Sequence, residues 1–150
     1  MKNPRSVMLT VVPANVDIAT QEILEKAEEV DPDGIRTLGV LTKPDLMDKG
    51  AEKNVIDLVE GRKHQLKLGW HVLRNASQEE LDKRVADRDD TERSFFAGQS
   101  PWNSLDKERV GIASFRDRLQ EILADHICRE FPKVWASTSL RDLDNDILCR

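Results

Sequence analysis

Residues 35–50, IRTLGVLTKPDLMDKG, hold the reading that decides the fold of this chain. Their first part, 35–41, is apolar and of strand length, and it follows a turn written by Asp31-Pro32-Asp33-Gly34. A polar loop, 42–50, comes next. From about 51 to 66 the period becomes that of a helix, with Val55, Leu58 and Val59 on one face. The same cycle stands on either side. Upstream, residues 7–12 (VMLTVV) form a β-branched run between Pro4 and Pro13; apolar on both faces, it fits a buried strand better than an edge strand. Ala19, Ile23, Leu24, Ala27 and Val30 then recur at helical steps, with Asp17 or Thr20 available as a cap. Downstream, residues 70–73 read as a third short strand, and a polar loop, 74–78, leaves it. Strand, helix, strand, helix, strand at this spacing implies right-handed crossovers. The expected fold class is α/β, a parallel sheet with flanking helices.

Ligands of open parallel sheets bind beyond the carboxyl ends of the strands. The loops beginning at Thr42 and Asn75 leave consecutive strands at that end, so they are expected side by side. After them the character changes. Residues 79–90 are dense in alternating charge and read as a loop or a loosely held helix. A helix over 90–97 is expected to anchor Phe95 and Phe96 in the core, and Pro101-Trp102 marks a turn. From Gly111 a long amphipathic helix begins, with Ile112, Phe115, Leu119, Ile122, Leu123, His126 and Ile127 in one stripe. Pro132 is expected to break or kink it. Residues 133–150 repeat the stripe with Ala136, Leu140, Leu143 and Ile147, giving long C-terminal helices after the sheet.

Bulk composition narrows the functional classes. At 150 residues there is room for one domain with a real core. With 39% hydrophobic and 34% charged residues, the chain reads as a soluble globular protein on the polar side. A net charge of -5 argues against nucleic acid as a partner, because phosphate neutralisation needs clustered Lys and Arg. The short basic stretch 62–67 reads as a solvated helix end. Cys128 and Cys149 form no CxxC pair and are not spaced with His64, His71 and His126 as metal ligands, which fits reduced thiols and a cytoplasmic location. No apolar run approaches the roughly 20 residues needed to span a bilayer.

Thr42-Lys43-Pro44-Asp45 matches the T/N-K-x-D pattern found after a strand in guanine-nucleotide-binding domains. Guanine presents a ring N–H and an exocyclic amine on one edge, and a single carboxylate, that of Asp45, can accept from both. Adenine has an acceptor where guanine has the ring donor, so the same carboxylate would face a lone pair. The Lys43 stem can pack along the base with its ammonium near solvent, while Thr42 braces the loop. Asn75-Ala76-Ser77-Gln78 follows the next strand, where such domains place backbone N–H groups against the base carbonyl. Plainer readings stand beside these: Asp45 as a turn cap before Leu46, and Asn75 and Ser77 as turn formers.

Taken together, the sequence resembles the dynamin superfamily of large GTPases, and its fungal, Mx-like branch more than the endocytic dynamins. The resemblance rests on residues 12–22 (VPANVDIATQE), on 42–50 (TKPDLMDKG) and on 75–78 (NASQ), with support from 92–96 (ERSFF), Pro101-Trp102 and Leu119. It implies an incomplete P-loop-NTPase-like sheet. Residues 1–110 would be the rear part of the GTPase domain, and 111–150 a helical extension broken at Pro132 where a bundle or stalk begins. By position it assigns nucleotide binding to Thr42, Lys43, Asp45, Asp48, Asn75, Ser77 and Gln78, with Asp48 near the base or ribose. Ala76 departs from the basic residue usual in the family. The implied ligand is GTP, with Mg only in a complete domain, and the implied biology is membrane remodelling or antiviral action.

No G-x-x-x-x-G-K-[ST] phosphate loop occurs in the sequence, and no Asp-x-x-Gly precedes Val7. Phosphoryl transfer depends on cradling phosphates, metal and water. No catalytic or metal-ligating residue is therefore assigned, and the chain is expected to be a fragment that does not hydrolyse GTP alone. The alternative is a non-catalytic interaction module whose C-terminal helices pair with other dynamin-like chains. Membrane contact is expected only through regions outside this sequence.

Overall fold

The computed structural model describes residues 6–17, 21–77, 80 and 88–147, the stretch 131–147 as backbone only. Three strands, β1 (Met8–Pro13), β2 (Thr37–Thr42) and β3 (Trp70–Leu73), form one sheet in the order β1-β2-β3. Both pairings are parallel, with Val11 opposite Val40 and Gly39 opposite Trp70. Two helices, α1 (Glu22–Val30) and α2 (Glu52–Val59), make the crossovers. Helix α3 (Arg88–Gly98), two short 3-10 turns and the long helix α4 (Ile112–Ile147) follow. The α/β class and the parallel sheet are as the sequence implies.

The core gathers on one side of the sheet. Val12, Leu41, Val55, Leu58, Val59, Trp70 and Val72 pack with Phe95, Phe96, Trp102 and Leu105. Phe95 meets Phe96 edge-on at 5.2 Å and tilts against Trp102 at 6.3 Å, geometries that suit aromatic quadrupoles. Gly39 is required where β2 crosses this layer, since a Cβ there would lie 2.2 Å from the Trp70 ring. Asp31 ends α1 and ties it to β2: its carboxylate accepts from the Ile35 and Arg36 N–H groups and, at 2.6 Å, from the Thr37 hydroxyl. Burial alone would raise the Asp31 carboxyl, but these hydrogen bonds outweigh it and hold the group below its ordinary 3.8.

Several expectations are corrected. β1 is not buried on both faces: Leu9 and Val11 are 44% and 55% exposed, because among the described residues nothing covers that face, while Met8, Thr10 and Val12 on the other are buried. Helix α1 starts at Glu22 behind Gln21, without a side-chain cap from Asp17, and Thr20 lies outside the described residues. Helix α2 stops at Val59, since Gly61 adopts a positive φ that ends the helix and the basic stretch beyond it is irregular. Of the break or kink expected at Pro132, the break is not seen: α4 is one helix through that residue. Proline deletes one backbone donor, while the remaining hydrogen bonds on either side carry the helix on. Of the α4 stripe, Ile122 is buried and Phe115 half-buried, whereas Leu123 and Ile127 are 44% and 59% exposed.

Candidate functional site

The carboxyl ends of the three parallel strands bring three loops to one rim. The loop after β1 is fixed to β2 by the Ala14 N–H, which donates to the Thr42 carbonyl at 2.7 Å. Thr42 itself is half-buried, in register with Pro13 on one side and Leu73 on the other. Lys43 then takes a left-handed backbone (φ 57, ψ 46) and caps a 3-10 turn, Pro44–Leu46, with Pro44 buried beneath it. That reversal leaves the Lys43 side chain exposed and turns Asp45 inward, its side chain 20% exposed. Left-handed backbone at a non-glycine residue is uncommon and marks a place where surrounding structure imposes it.

Asp45 meets the third loop through Arg74, whose Nε lies 3.9 Å from Asp45 Oδ2. The Arg74 side chain is 12% exposed, its Nη2 donates to Glu80 Oε1 at 2.7 Å, and its guanidinium sits 5.5 Å from the centre of the Phe95 ring. Glu80 also accepts from the Ser77 N–H at 2.8 Å, and the Glu80 N–H donates to Ser77 Oγ at 3.3 Å, the reciprocal pattern of a capping box. Hydrogen bonds from Arg74 and then Ser77 hold the Glu80 carboxyl below its ordinary value. Asn75 is exposed and accepts from Arg88 at 3.4 Å. Asp48 is exposed and lines a separate cavity of about 420 Å³ with Asn15, Asp17, Met47 and Asn54. Gln78 lies outside the described residues. A larger cavity, about 740 Å³, opens at the amino end of β3 beside Gly69 and Arg118 and includes none of the sequence-derived site residues.

Three residues of this neighbourhood escape the motif reading. Arg74 reads in sequence as a solvated charge after a strand. Glu80 has a signal, the Ser77-x-x-Glu80 spacing of a capping box. Glu92 is 5% exposed; its two carboxylate oxygens accept the Arg74 N–H and the Ile112 N–H, both at 2.8 Å. Its signal is position, three and four residues before the buried Phe95 and Phe96 on one helical face.

A family model described as the dynamin central region matches residues 54–140, more than half of the chain, and one described as the dynamin family matches residues 1–44. The chain belongs to the dynamin family. Among its relatives, the interferon-induced GTP-binding protein Mx2 of Oncorhynchus mykiss is 42% identical over 132 residues, 86% of this chain. The Mx1 proteins of Ovis aries and Mus musculus are 43% identical over 130 residues and 38% over 135, covering 85% and 88% of the chain. The chain spans about a fifth of the length of these relatives, 20% to 21%. Family membership and the α/β sheet agree, since the two matches meet across the β2 loop and α2. No helix among the described residues is long and apolar enough to cross a membrane.

Proposed function

We propose that this dynamin-family chain carries the guanine-recognising part of a GTP-binding domain, with Asp45 accepting both donors of the base. The observation that carries the reading is the meeting of two loops. Asp45, after β2, and the segment that begins at Arg74, after β3, are in contact at the carboxyl ends of adjacent parallel strands. Lys43, exposed on its left-handed turn, is free to lay its stem along a base, and Thr42 braces the turn from the strand end. Asn75 and Ser77 are proposed as the opposite wall, Gln78 is assigned to it by the family resemblance alone, and Asp48 is proposed to lie near the base or ribose. The Ser77 N–H is held by Glu80, so its contact with a nucleotide requires that bond to open. The relatives named as GTP-binding proteins support the choice of ligand.

The test is to join residues 1–150 behind the upstream part of an Mx relative and titrate GTP, ATP and XTP. Asp45→Asn should weaken GTP about 30- to 1000-fold, equivalent to about 2–4 kcal/mol, and favour xanthine, whose carbonyl replaces the amine. Unchanged binding of all three nucleotides would reduce Asp45 to a turn cap. The chain alone is proposed to release no phosphate from GTP above background, because phosphate and magnesium must be cradled by residues its sequence does not contain. Phosphate release that Asp45→Ala abolishes would overturn this.

A second reading, a helical interaction module, is favoured by one observation: Leu123 and Ile127 continue the apolar stripe of α4 and are left exposed. Other dynamin-like chains, contributing helices of matching apolar stripe, are the proposed partners. Sedimentation of the chain should then show self-association that Leu123→Glu with Ile127→Glu removes, and a monomer at all concentrations would count against it.

A further inference from the structure

Arg74 is held on three sides, and one of its guanidinium donors is buried without an acceptor. Its backbone N–H is fixed from behind by Glu92 Oε1 at 2.8 Å. Its Nη2 is bound by Glu80 at 2.7 Å, and the Phe95 ring lies against the guanidinium plane. The Nε donor is fully buried and has no hydrogen-bond acceptor among the described residues. The carboxylate it faces is Asp45, at 3.9 Å, and a closure of about 1 Å would make that contact a charge-assisted hydrogen bond.

We infer that Arg74 is a positioning residue for guanine selection: its Nε–H fixes Asp45 Oδ2 and thereby aims the carboxylate at the base. The inference rests on the reading of Asp45 as the base acceptor. Pairing with Arg74 does not exhaust that carboxylate, because each oxygen has two acceptor directions and the base needs one from each. Nor can the guanidinium swing into solvent without abandoning Glu80 and the Phe95 face. Through Glu80 the same guanidinium is linked to the Ser77 N–H, so one cation connects both walls of the site. A lysine in its place would keep the charge but lose the planar fork that serves Glu80 and Asp45 together.

The experiment uses the 150-residue chain labelled with ¹⁵N. Asp45→Ala should move the Arg74 Nε–H resonance, which is assigned by its disappearance in Arg74→Lys; an unmoved resonance overturns the pairing. Titration of residues 1–150 joined behind the upstream part of an Mx relative, with GTP and with ATP, then reads selection. Arg74→Met and Arg74→Lys should each lower the preference for the guanine nucleotide about tenfold, with backbone resonances remote from the site unchanged. A parent that prefers guanine alongside variants that prefer it equally overturns the role of Arg74 and leaves Asp45 as the reader. A parent that binds neither nucleotide, or binds both equally, overturns the reading of Asp45 and this inference with it.

Discussion

β1 and β3 are both outer strands of one sheet, yet β3 is sealed and β1 is open. Trp70, His71 and Val72 of β3 are at most 2% exposed, whereas alternate residues of β1 face outward. Composition does not explain this, since MLTVVP is at least as apolar as WHVL. The cause lies in the segment that returns to β3 from further along the chain. Val110 bridges to Val72, the Gly111 N–H donates to the Val72 carbonyl at 2.9 Å, and His71 Nε2 donates to the Gly111 carbonyl at 2.9 Å. Phe115 lies against the His71 ring at 5.2 Å. Arg109 reaches the Val59 carbonyl from the same segment. The first turn of α4 is thus fastened to the sheet, while among the described residues nothing covers the outward face of β1. On the face of β3 turned away from α2, burial is conferred by the returning segment.

The largest test of that contrast sets one strand against the other. Trp70→Ala should cost about 3–5 kcal/mol, because it removes a fully buried aromatic and leaves a cavity between β2 and α2. Val11→Ala, on the open face, should change stability by less than about 0.5 kcal/mol. Urea midpoints of the two variants measure the difference, and similar losses would erase the distinction between the strands. Glu92→Gln comes next, at about 1–3 kcal/mol. The amide keeps one acceptor but turns a donor toward a backbone N–H, so either Arg74 or Ile112 loses its partner. Faster amide exchange confined to those two residues and their neighbours would sharpen the picture of α4 as fastened to β3, and protection equal to the parent's would break it.

The smallest effect is a pH dependence carried by the same seam. Burial first, and then Arg118, holds the His71 imidazole below its ordinary 6.5, although the Gly111 carbonyl opposes them. Below 6.5 the unfolded chain takes up a proton that the folded chain resists, so stability is complete above that value and declines as pH falls beneath it. His71→Asn should flatten this slope between neutral pH and the acid range, where Asp31 and Glu80 begin to lose their own hydrogen-bonded carboxylates. Denaturation curves at stepped pH check it; an unchanged slope would mean the His71 ring is not the group that titrates.

The candidate site was partly legible in the sequence. Thr42-Lys43-Pro44-Asp45 announces itself because four consecutive residues match one pattern, and the order of loops follows from strand and helix periods. Arg74 could not be found in this way. A basic residue just past a strand reads as solvated, and its burial depends on Phe95 and Glu80, which stand 21 and six residues further on. Glu92 is hidden for the same reason, since its two partners are 18 and 20 residues away. At Pro132 only the reading as a full break fails. The local rule is sound for one hydrogen bond, but a helix of 36 residues carries on past the loss of one.

What the sequence determined by itself is the set of elements, the parallel crossovers and the placing of Asp45 and Asn75 on one rim, because apolar period and turn chemistry act over a few neighbouring residues. Which strand would be sealed, that Asp45 would meet a buried guanidinium, and that one glutamate would tie the third loop to the long helix were decided by tertiary structure alone. Burial and ion pairing depend on what arrives from elsewhere in the chain: a Val or an Arg is the same residue on an open face and a closed one, and only the packed neighbours set its energy.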